Sequence, residues 1–225
     1  MKRIGAAIGL AVLGGVLYLS VFLGGAASAT GGTTLCKKEE SPCSAENHYG
    51  IGTSLVAYST AAEFLTTNGN VVCEKSGFAT ESKTTTTGSN ISSVQIKIGS
   101  YFFTGCSIRT PAVSHLCTVT VLNGPYTGTI NHSIGTVNGT LSISSTGLGN
   151  MTAKVDCGAT LLKCEFNFGT PILEAFGGST WRYRANRVKL AGTSYEGGVC
   201  PKEATWYGWY NIAVSPSPLY IEDSA

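Results

Sequence analysis

The sequence predicts an all-β fold, either an antiparallel β-sandwich or a partly closed barrel, stabilised by disulfide bonds. Gly, Thr, Ser, Val and Tyr are abundant beyond the first 29 residues, whereas Leu, Met, Glu and Lys are comparatively few. This composition favours strands and turns over helices. Short segments with alternating apolar and polar residues recur along the chain, separated by turn-forming sequences. The long helical crossovers of a parallel sheet are not apparent in the pattern.

The alternating segments define the predicted strands. They lie at 71–75, 92–103, 116–123, 139–144, 151–157, 163–168 and 205–214. Turn signals between them include Asn68-Gly69, Asn123-Gly124-Pro125, Asn138-Gly139, Gly147-Leu148-Gly149 and Gly177-Gly178. Residues 59–67 could form a helical turn or a strand, and we favour the strand. The polar stretch 81–90 is predicted to be a mobile loop, with a linker between two smaller domains as the alternative.

The first 29 residues have the features of a secretory signal peptide. Lys2 and Arg3 precede an apolar run from residue 4 to residue 23, and Ala27-Ser28-Ala29 matches a signal-peptidase site before Thr30. An uncleaved membrane anchor is the alternative, because roughly 20 apolar residues can span a bilayer. The glycines in the run, and the lack of basic residues immediately after it, favour cleavage. Residues 30–225 are then expected to form one secreted or cell-envelope β domain.

The cysteines predict disulfide bonds. All eight lie beyond the signal segment, and an even number in an exported chain indicates paired cysteines. Zinc is the competing explanation, but the spacings of common structural zinc sites are missing. Sequence alone does not fix the connectivity. Proximity along the chain suggests Cys36–Cys43, Cys106–Cys117 and Cys157–Cys164, which leaves Cys73–Cys200.

The charge balance argues against nucleic acid as a partner. The chain has 15 Lys and Arg and 13 Asp and Glu, so removal of Lys2 and Arg3 leaves a formally neutral protein. Binding to phosphate backbones needs a surplus of basic residues. No cofactor is expected from the sequence, and a membrane partner is expected only if the signal segment is retained.

No catalytic or metal-binding constellation stands out. His48, His115 and His132 are far apart and are expected to be solvated surface residues. Residues 192–197 approach the G-x-S-x-G pattern of a serine nucleophile but carry Glu196 at the second Gly position, so a hairpin loop is the simpler interpretation. Paired carboxylates could cleave glycosides. The acidic residues nearest the strands are Asp156, Glu165, Glu174 and Glu196, and their spacing does not predict that any two meet.

Aromatic residues near the carboxyl end suggest a binding surface. On a strand at 205–214, Trp206 and Tyr210 face one way and Tyr207 and Trp209 face the other. Gly208 leaves a gap at which another group could approach. An exposed Tyr207 and Trp209 could stack on the sugar rings of an extracellular glycan or cell wall. The alternative, which we favour at this point, is that one set forms core and the other packs under a loop or against arginine stems.

Several motifs resemble those of a protein family. They are Cys36 with Ser41-Pro42-Cys43, FTGC at 103–106, CTVTVLN at 117–123 with Pro125-Tyr126, GVCPKEATW at 198–206 and PLYI at 218–221. The chain resembles a family of secreted, cysteine-paired, Thr/Gly-rich β proteins from soil actinobacteria. The resemblance implies an exported β protein with paired cysteines and brings no activity or site residues. The interval between Cys106 and Cys117 is longer than the family pattern.

These observations predict a non-enzymatic secreted or cell-envelope protein with a binding or structural role. Two alternatives from other classes stay open. One is a small secreted hydrolase, and the other is an extracellular inhibitor or effector that presents the loop between Cys106 and Cys117.

Overall fold

The computed structural model describes residues 32–83, 93–110, 114–146, 149–158, 160–214 and 218–224. The predicted signal peptide, residues 1–29, and most of the predicted mobile loop, residues 84–90, lie outside the described residues. Within the described ranges, no helix has both the length and the apolar character needed to cross a membrane.

The described residues form fourteen strands and one short 3-10 turn at Ala45–Asn47. The strands are β1 (Gly32–Cys36), β2 (Ser54–Ser59), β3 (Ala62–Thr66), β4 (Asn70–Ser82), β5 (Val94–Arg109), β6 (Ser114–Leu122), β7 (Tyr126–His132), β8 (Asn138–Ser145), β9 (Met151–Asp156), β10 (Lys163–Gly169), β11 (Ile172–Phe176), β12 (Arg182–Ser194), β13 (Glu203–Val214) and β14 (Tyr220–Ser224). The segment 59–67 is thus the end of β2 followed by β3, as the favoured interpretation predicted.

Twelve of these strands build a closed antiparallel barrel of eight positions. Strands β4, β5, β12 and β13 each fill one position alone. The other four positions are filled by pairs that continue one another across a short break, namely β2 with β3, β6 with β7, β8 with β9, and β10 with β11. Each position pairs with the next one along the chain, and β13 pairs back to β2 and β3 to close the ring. The predicted antiparallel, disulfide-stabilised all-β fold is therefore confirmed.

The interior of the barrel is packed with aromatic side chains. Alternation along most strands sends every second residue inward, and these inward positions are buried, whereas those of β6 are only partly buried. Neighbouring rings lie 4.9 to 6.4 Å apart between centroids, in tilted, stacked and edge-on arrangements. An eight-stranded barrel is just wide enough for side chains to fill it. The rings that fill this one are those of Phe64, Phe78, Tyr101, Phe103, Phe166, Phe168, Tyr183, Trp206 and Tyr210.

Gly208 faces this packed interior, so the predicted gap is not on the outer surface. A Cβ atom at position 208 would lie 2.9 Å from a ring carbon of Tyr210, which is closer than real Cβ contacts allow. The group that approaches Gly208 is therefore the Tyr210 ring of the same strand.

The disulfide pairing differs from the prediction at three bonds of four. Cys36–Cys43 forms as predicted. The predicted pairs Cys106–Cys117, Cys157–Cys164 and Cys73–Cys200 are wrong, because the structure joins Cys73 to Cys106, Cys117 to Cys157 and Cys164 to Cys200. All eight cysteines are bonded.

Strand register explains the observed bonds. Cys73, Cys106 and Cys117 lie level with one another on β4, β5 and β6, and the β6–β9 register extends this row to Cys157. Bonding the first cysteine of the row to the second and the third to the fourth, as observed, uses all four cysteines. A Cys106–Cys117 bond would leave Cys73 and Cys157 at opposite ends of the row, too far apart to form a disulfide. These two bonds and Cys164–Cys200 lie near one end of the barrel, the end at which β5 finishes and β6 begins.

A two-stranded ribbon closes the opposite end of the barrel. β1 pairs antiparallel with β14, from Gly32 opposite Ser224 to Cys36 opposite Tyr220. One side of the ribbon, with Leu35 and Ile221, belongs to the barrel core. The other side carries Thr34 opposite Glu222, and the chain after β1 is held beside it by the Cys36–Cys43 bond.

Candidate functional site

The predicted binding residues lie on the outer surface of the barrel. Register places Trp209 of β13 opposite Arg184 of β12, and Asn211 between Tyr58 of β2 and Arg182 of β12. Phe176 of β11 lies opposite Arg182. We call this surface the aromatic face, and it comprises Tyr58, Phe176, Arg182, Arg184, Tyr207 and Trp209.

The Trp209 ring is held by its neighbours yet remains accessible. The guanidinium carbons of Arg184 and Arg182 lie 4.8 and 5.0 Å from its centroid, and the Phe176 ring lies 5.5 Å away. Arg184 also forms an ion pair with Glu174. The outer aromatic set thus packs against arginines, as the favoured alternative predicted. Trp209 is nevertheless 44% exposed, whereas Trp206 is fully buried.

Tyr207 and a neighbouring pocket extend the aromatic face. Tyr207 is half-buried and lies opposite Glu63 of β3. At the other end, Tyr58 and Asn211 line a pocket of about 190 Å³ together with Trp181. The Trp181 indole nitrogen is buried and has no hydrogen-bond partner. Tyr58 was not predicted, although its outward position follows from the alternation of β2.

A second and larger cavity lies beside the β1–β14 ribbon. This acidic cleft has a volume of about 560 Å³ and is bounded by the chain after β1, the β7–β8 turn and β14. The residues that line it are Glu39, Glu40, Ser41, His132, Gly135, Thr136, Val137, Asn138, Glu222 and Asp223.

His132 and Asp223 form an ion-pair geometry at the edge of the cleft. The His132 Nδ1 lies 3.0 Å from Oδ1 of Asp223, and the Ser41 hydroxyl donates to Oδ2 at 3.4 Å. The His132 Nε2 lies 2.5 Å from the carbonyl oxygen of Thr136. The imidazole is only 4% exposed, so the prediction of a solvated surface residue is wrong. Its partner lies in the last strand, far along the chain, so local pattern gave no signal.

Two glutamates of the cleft have opposite environments. Oε1 of Glu40 accepts hydrogen bonds from the Ser44 hydroxyl (2.6 Å), Asn47 (2.7 Å) and the Ser44 backbone N–H (2.8 Å), and these bonds lower the pKa of Glu40 to about 2. Glu222 is 3% exposed, and its Oε1 is buried without a hydrogen-bond partner. Burial raises the pKa of Glu222 to about 7. The Oγ1 of Thr34, opposite Glu222 in the ribbon, is likewise buried and unpartnered.

Three other residues considered for catalysis, Ser194, Asp156 and Glu196, have structural partners. Ser194 donates to the carbonyl oxygen of Gly198 within the hairpin connection of β12 and β13. Asp156 and Glu196 both approach the Lys163 ammonium group, at 3.6 and 2.8 Å. These carboxylates flank a lysine, which is not the arrangement of an acid and base pair acting on a glycoside.

One group of potential metal ligands occurs among the described residues. It consists of Cys36, Glu40 and Cys43. Because the two cysteines are bonded to each other, they cannot act as thiolate ligands.

Comparison with known proteins adds no relative. No protein-family profile, no curated protein and no solved structure matches this chain.

Proposed function

We propose that this protein is an exported, non-enzymatic binding protein whose aromatic face binds an extracellular or cell-wall polysaccharide. The observation that carries the proposal is Trp209, a large ring held in place by two guanidinium groups and yet 44% exposed. Four disulfide bonds are typical of proteins that fold in an oxidising, extracellular-type compartment, which supports export.

The chemistry of the aromatic face suits a sugar polymer. A ring already fixed by its neighbours loses little conformational entropy when a ligand stacks on it. Arg182 lies beside the ring and could donate hydrogen bonds to hydroxyl or carboxylate groups of the sugar. The adjoining pocket beside Tyr58 would give a neighbouring sugar unit a second contact.

Binding is favoured over hydrolysis by the roles of the acidic candidates. Glu174 is paired with Arg184, and Asp156 and Glu196 are paired with Lys163. On the aromatic face, Glu174 therefore orients an arginine that supports Trp209.

The test is a glycan array followed by a cell-wall pull-down with the oxidised protein. Trp209→Ala should weaken binding at least tenfold, or about 1.4 kcal/mol. Leu116→Ala is the control for loss of an exposed apolar side chain, because Leu116 is 85% exposed on β6, a strand that carries no residue of the aromatic face. Circular dichroism and thermal melts would establish that both variants are folded. Equal binding by wild type and Trp209→Ala, or binding to no polysaccharide at all, would rule the proposal out.

A further inference from the structure

The acidic cleft contains a buried acid with one oxygen that no protein group satisfies. Glu222 lines the cleft and is almost completely buried, and its Oε1 has no hydrogen-bond partner. A buried polar group without a partner costs about 1–3 kcal/mol, and a charged group costs more. The unpartnered hydroxyl of Thr34 lies across the ribbon at the same register position. Of these two residues only Glu222 lines the cleft, and its unsatisfied Oε1 indicates a place where a ligand supplies the missing hydrogen bond.

The charges around the cleft select a cationic ligand. Glu39 and Glu40 approach from the segment after β1, and Glu222 and Asp223 from β14. The one basic residue among the described lining residues is His132, which is engaged by Asp223 and Thr136. A ligand that donates hydrogen bonds and carries positive charge would therefore complement the cleft.

The geometry favours an organic cation over a bare metal ion. The carboxylates of Glu39, Glu222 and Asp223 do not converge: they are absent from the one described group whose potential ligand atoms lie within 4.8 Å of one another. A metal ion needs several oxygens around one point. The volume of about 560 Å³ falls within the range of small-molecule sites. An alkylammonium group carries its own N–H donors and needs only one nearby carboxylate for a strong, charge-assisted bond.

We propose that the acidic cleft binds the alkylammonium group of an organic cation, which donates a hydrogen bond to Glu222 while Glu39 and Asp223 supply further negative charge. This site is distinct from the aromatic face, and it does not depend on the proposed function. The ammonium group could belong to a free polyamine or to a lysine side chain of a peptide, and the two sources present the same chemistry to Glu222.

Binding of a cation should release a proton. Because Glu222 has a pKa of about 7, it is about half protonated at pH 7 before the ligand arrives. The ionisable groups that face it are Glu39 and Glu40 from the segment after β1, Asp223 from β14 and His132 from β7. β1 and β8 bring no free ionisable side chain. An ammonium group favours the charged carboxylate, so affinity should rise as the pH is raised from 6 to 8.

The experiment is isothermal titration calorimetry of the intact oxidised protein. Spermidine and a lysine peptide with blocked ends are the two probes, and their difference in affinity distinguishes the two sources. Each titration is run at pH 7 in two buffers of different ionisation enthalpy, which reveals proton release. We expect release of up to about half a proton per cation bound. Glu222→Gln should weaken binding at least tenfold, whereas Glu203→Gln, at an exposed position on β13, should leave it unchanged.

Three results would overturn the proposal. The first is that neither probe binds at millimolar concentration. The second is that Glu222→Gln binds as well as wild type. The third is that both variants lose affinity equally, which would indicate general charge attraction. A fourth result applies if Glu222→Gln does not fold. Binding by the wild-type protein without proton release would then overturn the role of Glu222, because the proton measurement needs no variant.

Discussion

Replacing Cys106 and Cys117 together by Ala should leave two free thiols, although these cysteines lie side by side on β5 and β6. The double change breaks both Cys73–Cys106 and Cys117–Cys157. Cys73 and Cys157 are then separated by three strand spacings, roughly 14 Å. A disulfide needs Cα atoms within about 7 Å, so these two cannot pair. Replacing Cys73 and Cys106 together should instead leave no free thiol.

The lengths of the closed loops set the expected loss of stability. The bond Cys73–Cys106 spans 33 residues, for which the chain-entropy model gives about 3.7 kcal/mol. Cys117–Cys157 spans 40 residues and is worth about 3.9 kcal/mol by the same relation. Cys36–Cys43 spans only 7 residues and is worth about 2.4 kcal/mol. Loss of both longer bonds would approach the whole stability of a typical domain, about 5–15 kcal/mol.

Thiol titration in denaturant and urea unfolding measure the two effects. The double Ala variant of Cys36 and Cys43 is the control with a short loop and should lose the least stability. If the Cys106 and Cys117 variant titrated with no free thiol, the two would be bonded to each other in the native protein. The register argument for the pairing would then be refuted.

Three further predictions concern the core, the cleft and the barrel wall. Trp206→Ala should cost about 3–5 kcal/mol in urea unfolding because its ring is fully buried. Trp209→Ala should cost no more than about 2 kcal/mol, since its exposed cation–π contacts with Arg182 and Arg184 are worth only about 0.5–1 kcal/mol each. Equal losses of stability in Trp206→Ala and Trp209→Ala would contradict this. Stability should fall from about pH 4.5 to 7, where folded Glu222 keeps a proton that the unfolded chain releases. For a pKa raised from 4.5 to about 7, the loss is at most about 3.5 kcal/mol, at about 1.4 kcal/mol per pKa unit. Unfolding at pH 5 and 8 should show a smaller loss in Glu222→Gln. Gly139→Ala should lower the melting temperature, because its Cβ would lie 2.1 Å from a β7 carbonyl oxygen, whereas Gly99→Ala meets only an ordinary 3.9 Å contact and should melt like wild type.

The period of two along the sequence located seven of the fourteen described strands, at least in part, and gave no segment for β1, β7, β11 or β14. It placed Trp206 and Tyr210 on one side of β13 and Tyr207 and Trp209 on the other, and the structure agrees. It could not predict which strands meet around a closed barrel, because pairing of β13 with β2 joins distant parts of the chain.

The errors have the same physical origin. Chain proximity chose Cys106–Cys117, whereas the row of cysteines across β4, β5, β6 and the end of β9 decides the bonds. The acidic cleft joins residues 39–41, 132–138 and 222–223, and no local motif connects them. Sequence pattern reports which side of a strand a residue faces, and only the register shows which residues it meets there.

The pairing of β1 with β14 sets the order in which this molecule can be completed. Gly32 lies opposite Ser224, so the contact joins nearly the whole length of the described chain. Contacts between such distant residues carry a high cost of loop closure and form slowly. Most barrel strands pair with near neighbours along the chain, and the barrel then closes through the distant pairing of β13 with β2 and β3. The ribbon needs one strand more, β14, which follows β13 in the chain. Because Glu222 and Asp223 lie on that strand, a truncated chain could build the aromatic face but not the acidic cleft.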